Sequence, residues 1–247
     1  HRAQAFDFHT YFDTRFLAYT GNGMKVTKTT EQYLTFLLLH AGITVKAIVD
    51  VNYDDGSNDS YEQFDIDFGT GTLMKHIPCS YTALEMATKA EVVGKEIISY
   101  SVKLEGYGGG AGFITEAFNF TLVNKNVRKS FLFANSAGGW GVLHCFGNFE
   151  AESDFEMESA EVNVPIGNDA DFAQFKNFAV SERTGFKVST GYIKKNSDEV
   201  RHCNEFMRSR YRYEISATGE YIPIVLENTK YINDKSQLGL IALQFQY

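Results

Sequence analysis

The clearest candidate cation ligands in the sequence are oxygen-bearing side chains at alternate positions: Asp50, Asn52 and Asp54, followed by Gly56 and Glu62. Calcium loops bind their ion through carboxylate and carbonyl oxygens spaced in this way. Such a loop needs glycine at position 55 and a bidentate acid at position 61, where this chain has Asp55 and Tyr61. The segment 54–60 is rich in turn-forming residues, so the pattern favours a solvated hairpin tip over a metal site.

Three other groups of residues lack the partners that their chemistry requires. The segment from Gly106 to Gly112 has no Lys-Ser/Thr after it, as a P-loop would, and favours a loop tip. Ser136 lies in Asn-Ser-Ala-Gly-Gly rather than in the Gly-x-Ser-x-Gly motif of acyl hydrolases. The histidines form no His-Glu-x-x-His motif and no pair four residues apart. The sequence therefore predicts neither an enzyme nor a bound metal or cofactor.

Sugar chemistry is the alternative that the residues leave open. Trp140, on a glycine-rich turn, is a candidate sugar-stacking platform, with Tyr11, Tyr19 and Tyr107 as candidate helpers. The many Asp and Glu residues could also include the carboxylate pair of a glycoside hydrolase. A packed hairpin anchor is the simpler role for one Trp. A carbohydrate-binding adhesin module and a secreted glycoside hydrolase are thus the alternatives to a structural role, with a host-surface glycan as a candidate partner.

The composition favours a mainly β protein. Among 247 residues there are 21 Phe, 14 Tyr and 21 Gly but only 3 Pro, and aromatic side chains suit half-buried strands. The formal net charge of -8 offers no basic stripe for nucleic acid. No apolar run approaches the roughly 20 residues of a membrane span. The cysteines, Cys79, Cys145 and Cys203, form no Cys-x-x-Cys pair and are predicted to be buried thiols.

Alternating apolar residues predict strands through most of the chain. The clearest segments are residues 6–8, 49–53, 64–68, 100–104 and 117–123, followed by shorter alternating pieces over 149–190 and closing strands at 221–226 and 238–246. Residues 81–96 predict a short helix or a loop. Helical spacing of Val200, Cys203 and Phe206 or Met207 predicts a packed helix near 197–209, capped by Asn196 or Ser197.

The most distinctive unit is a predicted β-hairpin in the second half of the chain. Its strands include residues 131–134 and 142–145, and its turn carries Asn135, Gly138, Gly139 and Trp140. Glycine at 138 and 139 permits the positive φ that tight turns require. We therefore predict a structural turn here that is also a candidate interface. Together the patterns predict two β-sandwich-like domains, residues 1–125 and 126–247, the second with one packed helix.

The segment 127–147, VRKSFLFANSAGGWGVLHCFG, resembles tail structural proteins from phages and prophages of Bacteroides-type bacteria. In that family a basic, aromatic strand leads into an NS-x-GG-aromatic turn and a second strand ending in Gly. The likeness continues in residues 186–193, FKVSTGYI, and in the closing segment 210–247. In this chain Gly141-Val142 stands where the family has an acidic residue and threonine, and residues 1–22 have no counterpart.

The resemblance implies a virion structural protein of a phage tail or baseplate, assembled in the host cytoplasm. Its partners would be copies of itself and other tail or baseplate proteins, and the family has no catalytic residues to carry over. The aromatic content agrees with this role, because the cores of subunit interfaces are enriched in aromatic residues and depleted in charge. Rings or tubes of identical subunits are an economical use of such surfaces.

Overall fold

A computed structural model describes residues 14–18, 23–39, 43–66, 74–107, 113–161, 175–234 and 239–247. As predicted, the chain is mainly β, with several sheets in a β-sandwich-like arrangement. The predicted strand at residues 6–8, the second half of the one at 64–68 and most of the glycine-rich segment lie outside the described residues. In the described part of the chain, no helix is long and apolar enough to cross a membrane.

The first half contains one larger sheet and one strand pair. Its elements are β1 (Met24–Val26), β2 (Tyr33–Leu37), β3 (Thr44–Tyr53), β4 (Asn58–Ile66), β5 (Met74–Pro78), helix α1 (Met86–Val93), β6 (Ile97–Tyr107), β7 (Phe113–Ile114) and β8 (Phe118–Leu122). The larger sheet has the order β1-β8-β6-β3-β4, with β7 on β6, while β2 pairs with β5. The short helix α1 lies inside the segment 81–96, as predicted.

Strict alternation in β3 explains how the first sheet packs. Val45, Ala47, Val49 and Val51 are all buried, and the residues between them are partly or fully exposed. Successive strand residues point to opposite sides of a sheet, so this pattern turns one side of β3 toward a core. Side chains from β2 and β5, including Phe36, join the same hydrophobic cluster and form its second layer.

The second half contains two sheets and a helix. Its elements are β9 (Lys129–Ala134), β10 (Trp140–Cys145), β11 (Phe149–Glu161), β12 (Phe175–Ser189), β13 (Ile193–Lys194), helix α2 (Asp198–Arg208), β14 (Arg212–Ile215), β15 (Tyr221–Pro223), β16 (Asn228–Asn233) and β17 (Leu240–Gln246). One sheet has the order β10-β9-β14-β15. The other has the order β11-β12-β17-β13, with β16 on β17.

Helix α2 confirms the predicted helix and its packed face, which also includes residues that the spacing did not indicate. Ser197 is the N-cap residue, and its hydroxyl donates to the carbonyl of Lys194 at 2.6 Å rather than capping the helix. Phe206 is fully buried against Phe131, Phe133 and Phe245. The buried face also includes His202 and Glu205, which the apolar spacing did not predict.

Two strand predictions were wrong. Residues 149–190 do not form several short pieces, because β11 and β12 have 13 and 15 residues. The closing strand predicted at 221–226 ends at Pro223, and β16 follows as a strand that the sequence reading missed. The two core clusters comprise residues between 16 and 120 and between 131 and 245. A domain boundary at residue 125 stays a prediction.

Candidate functional site

The predicted turn at residues 135–140 closes the hairpin of β9 and β10, in which Ala134 pairs with Trp140. The main chain of Asn135 donates to the carbonyl of Gly139 at 2.8 Å. The side-chain oxygen of Asn135 accepts from the main-chain N–H groups of Ala137 and Gly139, both at 3.0 Å. Gly138 has a φ of 88°, in the region that favours glycine. The backbone of this turn therefore favours an acceptor side chain at position 135 and glycine at position 138.

The same turn holds the two halves of the chain together. The Asn135 amide donates to the Leu17 carbonyl at 2.9 Å, and the Trp140 main chain donates to Thr35 Oγ1 at 3.1 Å. A Cβ atom at position 139 would overlap the Leu17 carbonyl oxygen and lie 3.0 Å from the Cβ of Thr35. We call this set of contacts, Asn135, Gly139 and Trp140 against Leu17 and Thr35, the clasp.

The Trp140 side chain is half-buried, and its ring lies 6.0 Å from that of Tyr213 on β14. This contact fits the predicted hairpin anchor. Of the tyrosines predicted to assist in sugar stacking, Tyr107 ends β6, while Tyr11 and Tyr19 lie outside the described residues. Among the described residues, the aromatic partner of Trp140 is Tyr213, which was not one of the predicted helpers.

His144 on β10 is a buried polar residue at the junction between the halves, 5% exposed. Its Nε2 contacts the side-chain amide of Gln32 from the first half, and its Nδ1 lies 2.8 Å from the hydroxyl of Ser130. Burial, with a smaller contribution from His202, lowers the pKa of His144 to about 3. The sequence reading assigned this strand histidine a structural role, but its partner 112 residues away could not be predicted.

His202 on α2 is the second buried imidazole at the junction. Its Nε2 donates to the carbonyl of Val142 at 2.9 Å, and its ring packs edge-on against Phe133. Burial lowers the pKa of His202 as well. One turn further along, the Glu205 carboxylate accepts from the main-chain N–H of Ser136 at 2.8 Å. Helix α2 thus supports both the clasp and the strand that carries His144.

A cleft, which we call the junction cleft, opens beside the two histidines. It is lined by β1, β10, the loop before β13 and helix α2, with Lys25, Lys125, His144, Tyr192, Asp198, Glu199, His202 and Cys203 among its side chains. The ammonium of Lys25 and the carboxylate of Glu199 lie 2.9 Å apart. This ion pair is a further contact between the halves.

The candidate calcium ligands do not converge. Asp50 pairs with Lys103 at 2.8 Å, and the Asn52 amide donates to the hydroxyl of Ser99 at 3.0 Å. Asp54 accepts from the main chain of Glu96 at 3.2 Å. These residues lie at the hairpin of β3 and β4, as predicted. Within the described ranges, no three His, Cys, Asp or Glu side chains are grouped so that they could hold a metal ion. All three cysteines are free and buried, as predicted.

The second notable feature is the hairpin of β11 and β12. The strands pair from Phe149–Val188 to Glu161–Phe175, but β12 continues into β17 only through residues 187–189. Residues 150–161 and 175–185 pair with each other and join no third strand among the described residues. Phe186 pairs with Tyr247 through main-chain hydrogen bonds of 2.9 and 3.0 Å. At about 3.4 Å per residue, the hairpin is roughly 40 Å long. Within the described chain, no further strand covers the outer edges over most of this length.

The base of this hairpin is fixed by one lysine. The Lys129 ammonium lies 4.9 Å and 5.3 Å from the ring centres of Phe149 and Phe186, which stack on each other. Lys129 also pairs with Glu214, which accepts a second hydrogen bond from the Tyr247 hydroxyl at 2.9 Å. These contacts attach the hairpin to the sheet of β9 and β14.

Comparisons with protein-family models and with curated proteins gave no match. The class that the coordinates define is a mainly β, β-sandwich-like protein.

Proposed function

We propose that this protein is a structural subunit of a phage tail or baseplate, which acts by assembling with copies of itself and with other tail proteins. The observation that carries the proposal is the long β11–β12 hairpin, whose outer edges meet no third strand among the described residues over most of its length. A lone two-stranded hairpin is marginally stable in water. Unpaired strand edges readily pair with another chain. Both properties favour a hairpin that is completed by a neighbouring subunit.

The side chains of the hairpin suit a subunit contact. Met157 is 58% exposed and Phe149 is 37% exposed. Every second residue of β11 from 150 to 158 is acidic, which limits nonspecific pairing. A standard interface takes about 800 Å² from each partner, and a hairpin of about 40 Å can supply much of it. The hairpin of one subunit would bind a different surface of the next subunit, as in a ring or a tube.

The resemblance of residues 127–147 to phage tail proteins is the reason for proposing a phage tail or baseplate as the assembly. These residues contain β9, β10 and the clasp, so they support the architecture of the chain. A motif with this role suits a family of structural proteins. In this proposal the chain has no catalytic role and is located in the virion tail.

The first test locates the protein. Phage or tail particles purified from the bacteria that encode this chain are analysed by mass spectrometry and imaged by electron microscopy. We expect the chain in many copies per particle, in a repeating ring or tube. Its absence from such particles, with a monomeric chain in the cell, would contradict the proposal.

The second test addresses the hairpin. We expect the full chain to form oligomers as its concentration rises, measured by analytical ultracentrifugation. Met157→Lys should reduce the oligomer fraction, because a charge would be buried at the contact. Val92→Lys is the matched control, since Val92 is 81% exposed on α1, away from the hairpin. Equal loss of assembly in both variants would contradict a specific role for the hairpin.

A further inference from the structure

Several polar contacts join the two halves, and one of them involves the buried side chain of His144. The hydrophobic core clusters of the halves share no residue. The halves are joined by the clasp, by the Lys25–Glu199 ion pair and by the contact of Gln32 with His144. Gln32 is 3% exposed and His144 is 5% exposed. A change in the charge of His144 therefore acts directly on the junction.

Both ring nitrogens of His144 are engaged, one with each half. Ser130, at Nδ1, lies on the neighbouring strand of the second half, and Gln32, at Nε2, belongs to the first. A neutral imidazole donates from one nitrogen and accepts at the other, whereas the protonated ring donates from both. Protonation therefore reverses one of these two hydrogen bonds and places a positive charge between the halves.

Among the described residues that line the cleft around His144, each carboxylate already has another partner. The charged or titratable side chains that line the junction cleft with it are Lys25, Lys125, Tyr192, Asp198, Glu199, His202 and Cys203. Glu199 is paired with Lys25, and Asp198 lies 3.4 Å from Arg201. Glu205 is bonded to the main chain of Ser136. His202 is itself buried and opposes a second positive charge.

We propose that Gln32 and His144 form an acid-sensitive latch, and that protonation of His144 opens the junction cleft while the sheets of each half persist. Hydration of the imidazolium compensates for its missing counter-ion. Opening should occur at the junction and not within either half. The junction cleft already reaches His144, and neither hydrophobic core cluster extends across the junction. The latch requires neither a phage setting nor self-association, so it stands apart from the proposed function.

The chain carries its own probe of this opening. Trp140 is its only tryptophan, and it lies in the clasp. The experiment follows Trp140 fluorescence of the full chain from neutral to acidic pH, at a concentration where the chain is monomeric. Far-UV circular dichroism is recorded on the same samples. We expect a red shift of the emission below about pH 6.5, the ordinary pKa of histidine, at pH values where the β signal is retained.

Two variants identify the titrating group. Gln32→Glu places a carboxylate beside His144. In the closed junction this opposite charge stabilises the imidazolium, so protonation no longer favours opening, and the fluorescence transition should move at least about one pH unit lower. His144→Gln removes the titrating ring and should likewise move the fluorescence transition to lower pH. His76→Gln is the control, since His76 lies 3.0 Å from Thr35 of the clasp and is another histidine whose titration could reach Trp140.

The proposal is overturned if the Gln32→Glu chain keeps the wild-type transition, or if His76→Gln alone removes it. Loss of fluorescence and circular dichroism at one common pH would also overturn it, because that result means global unfolding rather than opening. Should His144→Gln fail to fold, the Gln32→Glu result decides, since this variant retains the histidine.

Discussion

The side-chain amide of Asn135 donates a hydrogen bond of 2.9 Å to the carbonyl of Leu17, although the two residues are 118 positions apart. The other end of the same side chain accepts from two N–H groups of its own turn. One asparagine therefore shapes a local hairpin and attaches it to the first half of the chain. An amide side chain can do both because its nitrogen donates and its oxygen accepts.

Asn135→Asp separates these two roles. The carboxylate can still accept from Ala137 and Gly139, but an oxygen replaces the donor that faces Leu17. We expect a loss of about 1–3 kcal/mol in the free energy of unfolding, measured by urea denaturation, because a carbonyl is left without its donor. Ser136→Ala is the control in the same turn, as Ser136 is exposed. Equal stability of Asn135→Asp and wild type would show that the bond to Leu17 is dispensable.

Gly139→Ala tests the close approach in the clasp. The added methyl group would overlap the main-chain oxygen of Leu17, which cannot move as a flexible side chain would. Overpacking of this kind typically costs about 1–3 kcal/mol. Thermal unfolding should show a lower midpoint, together with a change in Trp140 fluorescence at neutral pH. A midpoint equal to that of wild type would mean that the halves can shift apart without cost.

Phe206→Ala tests the core of the second half. Phe206 is fully buried among Phe131, Phe133 and Phe245, so its removal leaves a cavity and lost burial. The free energy of unfolding should fall by roughly 3–5 kcal/mol. Met207→Ala, at a partly buried position on the same helix, should lower the free energy of unfolding by less. Equal losses in the two variants would contradict the assigned buried face of α2.

Lys129 and Glu214 should be strongly coupled. Glu214 is 8% exposed, and removing Lys129 would leave its carboxylate bonded to the Tyr247 hydroxyl but without a cation beside it. Breaking a buried pair costs about 3–5 kcal/mol, whereas replacing both charges costs less. We therefore expect Lys129→Met to be more destabilising than the double variant Lys129→Met/Glu214→Leu. Additive losses in this cycle, measured by chemical denaturation, would show that the pair is not coupled.

Stability should fall in mild acid. In the folded chain burial lowers the pKa of His144 to about 3, whereas an unfolded histidine titrates near about 6.5. Below that pH the unfolded chain binds a proton that the folded chain with a closed junction does not, so the free energy of unfolding from the closed state decreases until about pH 3. Where the junction opens first, the folded chain binds this proton too, and the decrease is smaller. His202 shifts in the same direction.

At pH 5, His144 alone should account for a loss on the order of 2 kcal/mol relative to neutral pH. Urea denaturation at the two pH values measures this difference, and His144→Gln should reduce it. An unchanged pH dependence in that variant would show that other groups are responsible.

Local patterns determined the strands and the helices that the sequence predicted correctly. Alternation over 49–53 specifies a half-buried strand, because neighbouring strand residues face opposite sides. Helical spacing around Phe206 and the positive φ of Gly138 act over a few residues in the same way. The mainly β class followed from these local rules. The same rules did not predict the length of the strands over 149–190, because the acidic and small residues of β11 are poor strand formers in isolation.

Only the tertiary structure decided which distant residues meet. Nothing near Gln32 in the sequence indicates that it contacts His144, and nothing near Leu17 indicates the bond from Asn135. Such contacts depend on how the halves pack, and a polar group in the junction is stable only where a partner satisfies it. Residue types thus determined the turn and the strands by local backbone preference, while packing over more than a hundred residues determined the clasp and the latch.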